Sequence, residues 1–97
     1  MFFPPCAASP PVPEISRFFG IVVKMFFGDH NPPHFHAEYG GDVALIDIRS
    51  LSAFSGRLPP RVMGLVIEWA TLHQEDLLAD WERAQSQRPL EKIAPLA

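Results

Sequence analysis

Apolar residues follow two different patterns along the chain, and the change between them comes at Pro59-Pro60. Before this point, runs rich in β-branched and aromatic residues are separated by turn residues, a pattern typical of strands. The runs are Ile15 to Phe27, His34 to Tyr39, Val43 to Arg49 and a short stretch around Ala53 to Ser55. They predict three or four antiparallel strands, the first of them long and bent or bulged at Gly20.

After Pro59-Pro60, apolar residues recur at helical spacing, and proline is well suited to a first helical turn. The apolar stripe consists of Val62, Leu65, Val66, Trp69, Leu72, His73, Leu77, Trp81 and Ala84. It fits either one helix of about 25 residues or two segments broken near His73. Acidic residues are expected on a solvated side of this helix, namely Glu75, Asp76, Asp80 and Glu82.

Together these patterns predict an α+β fold, in which a three- to four-stranded antiparallel meander packs under a long C-terminal helix. The prediction allows this helix to be continuous or broken. The length of 97 residues allows a single domain. Residues 1–12 contain four prolines and predict a tail, so that the domain covers 13–97.

Charge and cysteine content limit the classes of function. The formal net charge is −3, whereas nucleic-acid-binding proteins are usually basic, so an RNA-binding role would need a local basic patch. The single cysteine excludes an internal disulfide, and no apolar run reaches the length of a membrane span. With no signal-peptide pattern at the N-terminus, the cytoplasm is the expected location and a membrane role is excluded.

Three of the four histidines lie within seven residues, at His30, His34 and His36. Because side chains alternate along a strand, His34, His36 and Glu38 are expected on one exposed face. The residues between them, Phe35, Ala37 and Tyr39, are then expected on the core face.

Three hypotheses for this histidine cluster remain open. In the first, His34 and His36 act as general base and acid on a phosphodiester, with Lys24 offsetting its charge. In the second, His34 and His36 bind Zn²⁺ or a similar divalent metal together with His30 or a nearby carboxylate, His30 being the candidate named for the third ligand; otherwise no cofactor is expected. In the third, the cluster binds a partner without chemistry. The residues expected to contribute to binding are Asp29, His30, Glu38, Arg17 and Arg49.

Four segments of the chain resemble a family of small bacterial proteins known only as a domain of unknown function. They are the run from Pro13 to Ile21, the segment DHNPPHFHA at 29–37, the helix segment LVIEWATLHQE at 65–75 and the late Trp81-Glu82. The resemblance covers about residues 13–96. It implies no established activity and no catalytic residues. Members typically begin Met-Pro-Glu-Ile-Ser-Arg-Phe, so we expect the natural start at Val12.

Members of this family are often encoded beside a second small domain, in pairs that resemble toxin–antitoxin modules. The resemblance therefore implies a protein partner encoded nearby, and with the histidine pair it leads to the hypothesis of RNA cleavage. The alternatives are a non-catalytic interaction module and a small metal-binding domain. A sheet with one bare face also makes a homodimer an expectation.

Overall fold

The computed structural model describes residues 13–97, which form five strands followed by two helices. The expectations of a tail over residues 1–12 and of a start at Val12 lie outside the described residues. The elements are β1 (Glu14–Phe18), β2 (Ile21–Lys24), β3 (His34–Tyr39), β4 (Asp42–Asp47), β5 (Ser52–Gly56), α1 (Pro60–Leu72) and α2 (Gln74–Gln85). None of the helices in this part of the chain is long and apolar enough to cross a membrane.

The strands form one antiparallel sheet in the order β1-β2-β3-β4-β5, so each strand pairs with its neighbour in sequence. The α+β meander is confirmed, and the weak fourth strand of the prediction is present as β5. The count of three or four strands is wrong, because the expected long strand from Ile15 to Phe27 is two strands.

The turn that divides the expected long strand consists of Phe19 and Gly20, whose φ angles are 50° and 80°. Two consecutive residues with positive φ form the tight turn that matches the twist of a two-stranded hairpin. Glycine adopts this conformation easily, whereas phenylalanine rarely does. For this reason the pattern of apolar residues predicted a bend in one strand and missed the reversal of the chain.

The helical region is broken at His73, the second of the two arrangements that the apolar stripe allowed. The backbone N–H of His73 donates to the carbonyl oxygens of Trp69 and Ala70, and its φ of −122° ends α1. Its own carbonyl accepts from the N–H of Leu77 within α2. Of the two alternatives, the one continuous helix is therefore wrong, and the two segments broken near His73 are present as α1 and α2.

Side chains on one face of strands β1 to β4 pack against those of both helices and form the core. The largest fully buried residues of this core include Trp69, Phe35, Ile15, Ile21, Met25, Ile46, Ile48 and Leu77. Tyr39 was expected on this face but is exposed, because it is the last residue of β3 before the Gly40-Gly41 turn. The opposite face carries half-buried or exposed side chains, among them Val22, Lys24, His36, Glu38, Val43 and Leu45.

The segment after α2 had no pattern that predicted its position, and it lies against the domain. The backbone N–H of Ile93 donates to the carbonyl of Ile15 at 2.8 Å, and the Trp69 indole donates to the carbonyl of Ala94 at 2.8 Å. Asp80 is completely buried, although it was expected on a solvated helix side. Its Oδ1 accepts from the N–H of Glu91 and from the Arg83 guanidinium, so it holds the C-terminal segment on α2.

Candidate metal centre

The turn between β2 and β3 carries Asp29 back to the beginning of β3. It is held in place by α2, because the N–H of Gly28 donates to the carbonyl of Ala84 and the Gln85 amide donates to the carbonyl of Asp29. Both contacts link residues more than fifty positions apart. The position of the Asp29 carboxylate therefore depends on the packing of α2 against the end of the sheet.

Three side chains meet at this end of the sheet: Asp29, His34 and His36. The Oδ2 atom of Asp29 lies 3.0 Å from Nε2 of His34 and 3.3 Å from Nε2 of His36. One ligand atom from each of the three residues lies within 4.8 Å of the others. Two imidazole nitrogens and one carboxylate oxygen thus converge on a single point.

The ring orientation of His34 is fixed by the backbone. Its Nδ1 lies 2.7 Å from the carbonyl oxygen of Pro32, which can only accept a hydrogen bond, so Nδ1 carries the hydrogen. In a neutral imidazole the other nitrogen then has a lone pair and no hydrogen. Nε2 of His34 therefore directs a lone pair at the carboxylate of Asp29, and this contact is attractive only if a cation lies there, either a proton or a metal ion.

His34 is only 5% exposed, which corrects the expectation that it projects from a solvated face. Its ring lies 5.3 Å from the ring of Trp81 on α2 and 5.3 Å from that of Phe54 on β5. Strand alternation placed His34 on the correct face of the sheet but gave no sign that a helix residue and an edge-strand residue cover it.

The electrostatic surroundings of the other two residues favour a neutral His36 beside an ionised Asp29. Burial lowers the pKa of His36, and its hydrogen bond to Asp29 partly opposes this effect. The positive charge that His34 carries when protonated lowers the pKa of His36 further. Burial acts to raise the pKa of Asp29. Hydrogen bonds from the His30 N–H and from His36, together with the positive charges that His34 and His36 carry when protonated, outweigh burial, and the pKa of Asp29 is lowered.

These shifts predict that the metal-free protein loses stability in acid. As pH falls, the unfolded chain takes up protons before the folded chain does. This happens at His36, whose ordinary pKa is 6.5, and at Asp29, whose ordinary pKa is 3.8, because both pKa values are lower in the folded protein. The free energy of unfolding therefore falls as pH falls. Urea unfolding in chelator between about pH 7 and pH 3 measures the slope. The double variant Asp29→Asn/His36→Gln should show a flatter slope; an unchanged slope would contradict these pKa directions.

The other predicted site residues lie outside this group of three. His30 is exposed, and only its backbone N–H reaches Asp29, at Oδ1. Lys24 on β2 is the cross-strand partner of His36, and its Nζ forms an ion pair with Oε1 of Glu38 at 3.0 Å. Arg17 forms a bidentate pair with Glu14 on β1. Arg49 follows β4, where its N–H donates to Asp47.

The family described as "Domain of unknown function (DUF4160)" matches residues 20–82, a stretch that includes the three converging side chains and most of both helices. The chain belongs to the DUF4160 family. This confirms the resemblance seen in the sequence. No curated protein and no solved structure matches the chain.

For this DUF4160 chain the sequence predicted His34 and His36 as candidate metal ligands, with His30 or a nearby carboxylate as the third, and it named Asp29 as a binding residue. The sequence signal for Asp29 is its position five residues before His34 across two prolines, which allows its carboxylate to fold back. The Pro32 carbonyl and the covering rings of Phe54 and Trp81 had no signal in the sequence, because they depend on the tertiary packing.

Proposed function

We propose that this domain binds one divalent transition metal ion, such as Zn²⁺, through Oδ2 of Asp29, Nε2 of His34 and Nε2 of His36. The observation that carries the proposal is the approach of Oδ2 of Asp29 to Nε2 of His34 at 3.0 Å and to Nε2 of His36 at 3.3 Å, with Nδ1 of His34 held by the Pro32 carbonyl. A metal ion placed among these atoms would accept one bond from each of the three side chains. Imidazole nitrogen and carboxylate oxygen are ligands that Zn²⁺ accepts in proteins.

The distances support this ligand set. Ligand atoms bonded to Zn²⁺ at about 2.0–2.1 Å and arranged tetrahedrally lie about 3.3 Å from one another. The two Nε2–Oδ2 separations are 3.0 and 3.3 Å, so only a small outward movement of the side chains is needed. The hydrogen bond from Nδ1 of His34 to the Pro32 carbonyl is the usual arrangement behind a metal-bound histidine, since it orients the ring and fixes the tautomer.

Three protein ligands leave at least one coordination position of the metal for water or another ligand. Structural zinc sites are normally closed by four protein ligands, whereas catalytic sites have three and an open position. The ligand set therefore supports a site that binds or activates a small molecule over one that only stabilises the fold.

Heat denaturation with and without metal tests the proposal. At a free Zn²⁺ concentration one hundred times the Kd, binding to the folded state adds about 2.7 kcal/mol to the free energy of unfolding. For a domain of this size the Tm should rise by about 10–20 °C, and chelator should reverse the rise. Mg²⁺, which prefers oxygen ligands, is the control and should leave the Tm unchanged. A Tm that does not respond to Zn²⁺ would count against the metal site.

The second candidate is RNA cleavage by histidine acid–base chemistry in one component of a toxin–antitoxin-like pair. It is favoured by the partly exposed His36 with Lys24 on the neighbouring strand position. Against it, both Nε2 atoms face one carboxylate, so His34 is not free to act on a phosphodiester opposite His36. RNA cleavage in chelator that is lost in His36→Ala would favour this candidate over metal binding.

A binding role without chemistry is the third candidate, with a protein partner encoded nearby or a second copy of the chain. Its support is the edge strand β5, in which all five residues are exposed and none is charged. An edge of this kind has unpaired backbone groups that another strand can use. The cytoplasm suits all three candidates, because its thiol-reducing conditions match a chain with one cysteine.

A further inference from the structure

We propose that the metal centre binds a small organic oxyanion that carries an aromatic group. The oxyanion occupies the open coordination position, and the aromatic ring packs against Phe26 and Phe54. This inference rests on the proposed metal site and adds the class of ligand that the site takes.

Two phenylalanines flank the group of three from opposite sides of β3. Phe26, just beyond β2, lies with its ring 4.5 Å from that of His36, and Phe54 of β5 lies 5.3 Å from His34. Both rings are nearly perpendicular to the imidazole they contact, at 77° and 87°. Phe26 is nevertheless 37% exposed and Phe54 48% exposed, so each ring keeps apolar surface available to a ligand.

The burial of the three metal-binding side chains indicates the direction from which a small molecule would reach the metal. The side chain of His34 is 6% exposed, with Trp81 against it, whereas those of His36 and Asp29 are 21% and 26% exposed. The open coordination position therefore faces solvent on the side of His36 and Asp29. This is the face of the sheet from which Lys24 and Glu38 also project.

The charge of the loaded site selects an anion. A divalent ion bound by two neutral imidazoles and one carboxylate leaves one net positive charge at the centre, and a bound metal is usually the dominant local charge. The nearby Lys24 is already paired with Glu38, so the lysine adds little to that charge. A singly charged oxyanion neutralises the site, and an attached aromatic ring buries the exposed surface of the two phenylalanines.

The test compares benzohydroxamate with acetohydroxamate, which share the same metal-binding oxygens and differ in a phenyl in place of a methyl group. Zinc-loaded protein should bind benzohydroxamate at least about tenfold more tightly, measured by calorimetry. The double variant Phe26→Ala/Phe54→Ala should reduce the preference for benzohydroxamate to within about twofold of the preference that free Zn²⁺ shows. Phe19→Ala is the matched control, since Phe19 is an exposed phenylalanine at the β1–β2 turn, and it should keep the full preference.

Zinc content is measured on each variant before the hydroxamates are added, which separates the two proposals. A protein that does not load Zn²⁺ would overturn the metal site and this inference together. A protein that loads Zn²⁺ fully but binds the two hydroxamates equally, or a double variant Phe26→Ala/Phe54→Ala that loads Zn²⁺ and keeps the preference, would overturn this inference alone.

Discussion

Replacing His34 with glutamine should weaken the binding of Zn²⁺ by at least about a hundredfold. Loss of a residue that merely supports a metal ligand typically costs about 10–100-fold in affinity, and His34 is itself proposed as a ligand. Its ring is held by the Pro32 carbonyl and covered by Trp81 and Phe54, so no other side chain can easily take its place. Competition with a zinc-binding dye measures the Kd.

His30→Gln is the matched control for this substitution. It changes the same residue type four positions earlier, in the turn before β3, but the His30 side chain is exposed and its backbone N–H makes the contact with Asp29. The Kd of this variant should stay within about twofold of that of the unmodified protein. Equal losses in both variants would contradict the ligand set of Asp29, His34 and His36 and would restore the set with His30 that the sequence predicted.

Replacing Asp80 with alanine should lower the free energy of unfolding by about 3 kcal/mol. This value is at the low end for breaking a buried ion pair, because the Arg83 side chain that is left without its partner keeps some access to water. The substitution removes the acceptor of both the Arg83 guanidinium and the Glu91 N–H. It therefore releases the segment whose Ile93 and Ala94 bond to Ile15 and Trp69. Urea unfolding followed by tryptophan fluorescence measures the change.

Asp76→Ala is the control, one helical turn earlier on α2. The Asp76 side chain is 67% exposed and its carboxylate lies 3.5 Å from Nδ1 of His73, so its loss should change the free energy of unfolding by no more than about 0.5 kcal/mol. If Asp80→Ala is no more destabilising than Asp76→Ala, Asp80 does not hold the C-terminal segment in the way described.

The parts of the fold that could be predicted from the sequence are those with a clear period or a clear turn. β3 and β4 alternate around the Gly40-Gly41 turn, and the apolar stripe after Pro60 has helical spacing, so their type and order followed directly. The turn at Phe19 could not be predicted, because a phenylalanine with positive φ has no signature in composition. Asp80 was misplaced because a carboxylate on a helix is usually solvated, and only the returning C-terminal segment buries it.

The candidate site was predictable to the extent that its residues lie on one strand. His34 and His36 share a face of β3 by alternation, and that part of the prediction matches the geometry. The third member of the group depends on how the turn is folded. Sequence proximity favoured His30, whereas the contacts of α2 with Gly28 and Asp29 bring the Asp29 carboxylate to the two imidazoles and leave His30 exposed.

The most direct test of the metal site is the zinc content of tag-free protein after equilibrium dialysis against micromolar Zn²⁺ and then against metal-free buffer. We expect about one zinc per chain, and a large loss of bound zinc in Asp29→Asn, since the carboxylate is one of three ligands. A content well below one zinc per chain, or equal content in Asp29→Asn, would mean that a proton and not a metal ion lies between His34 and Asp29.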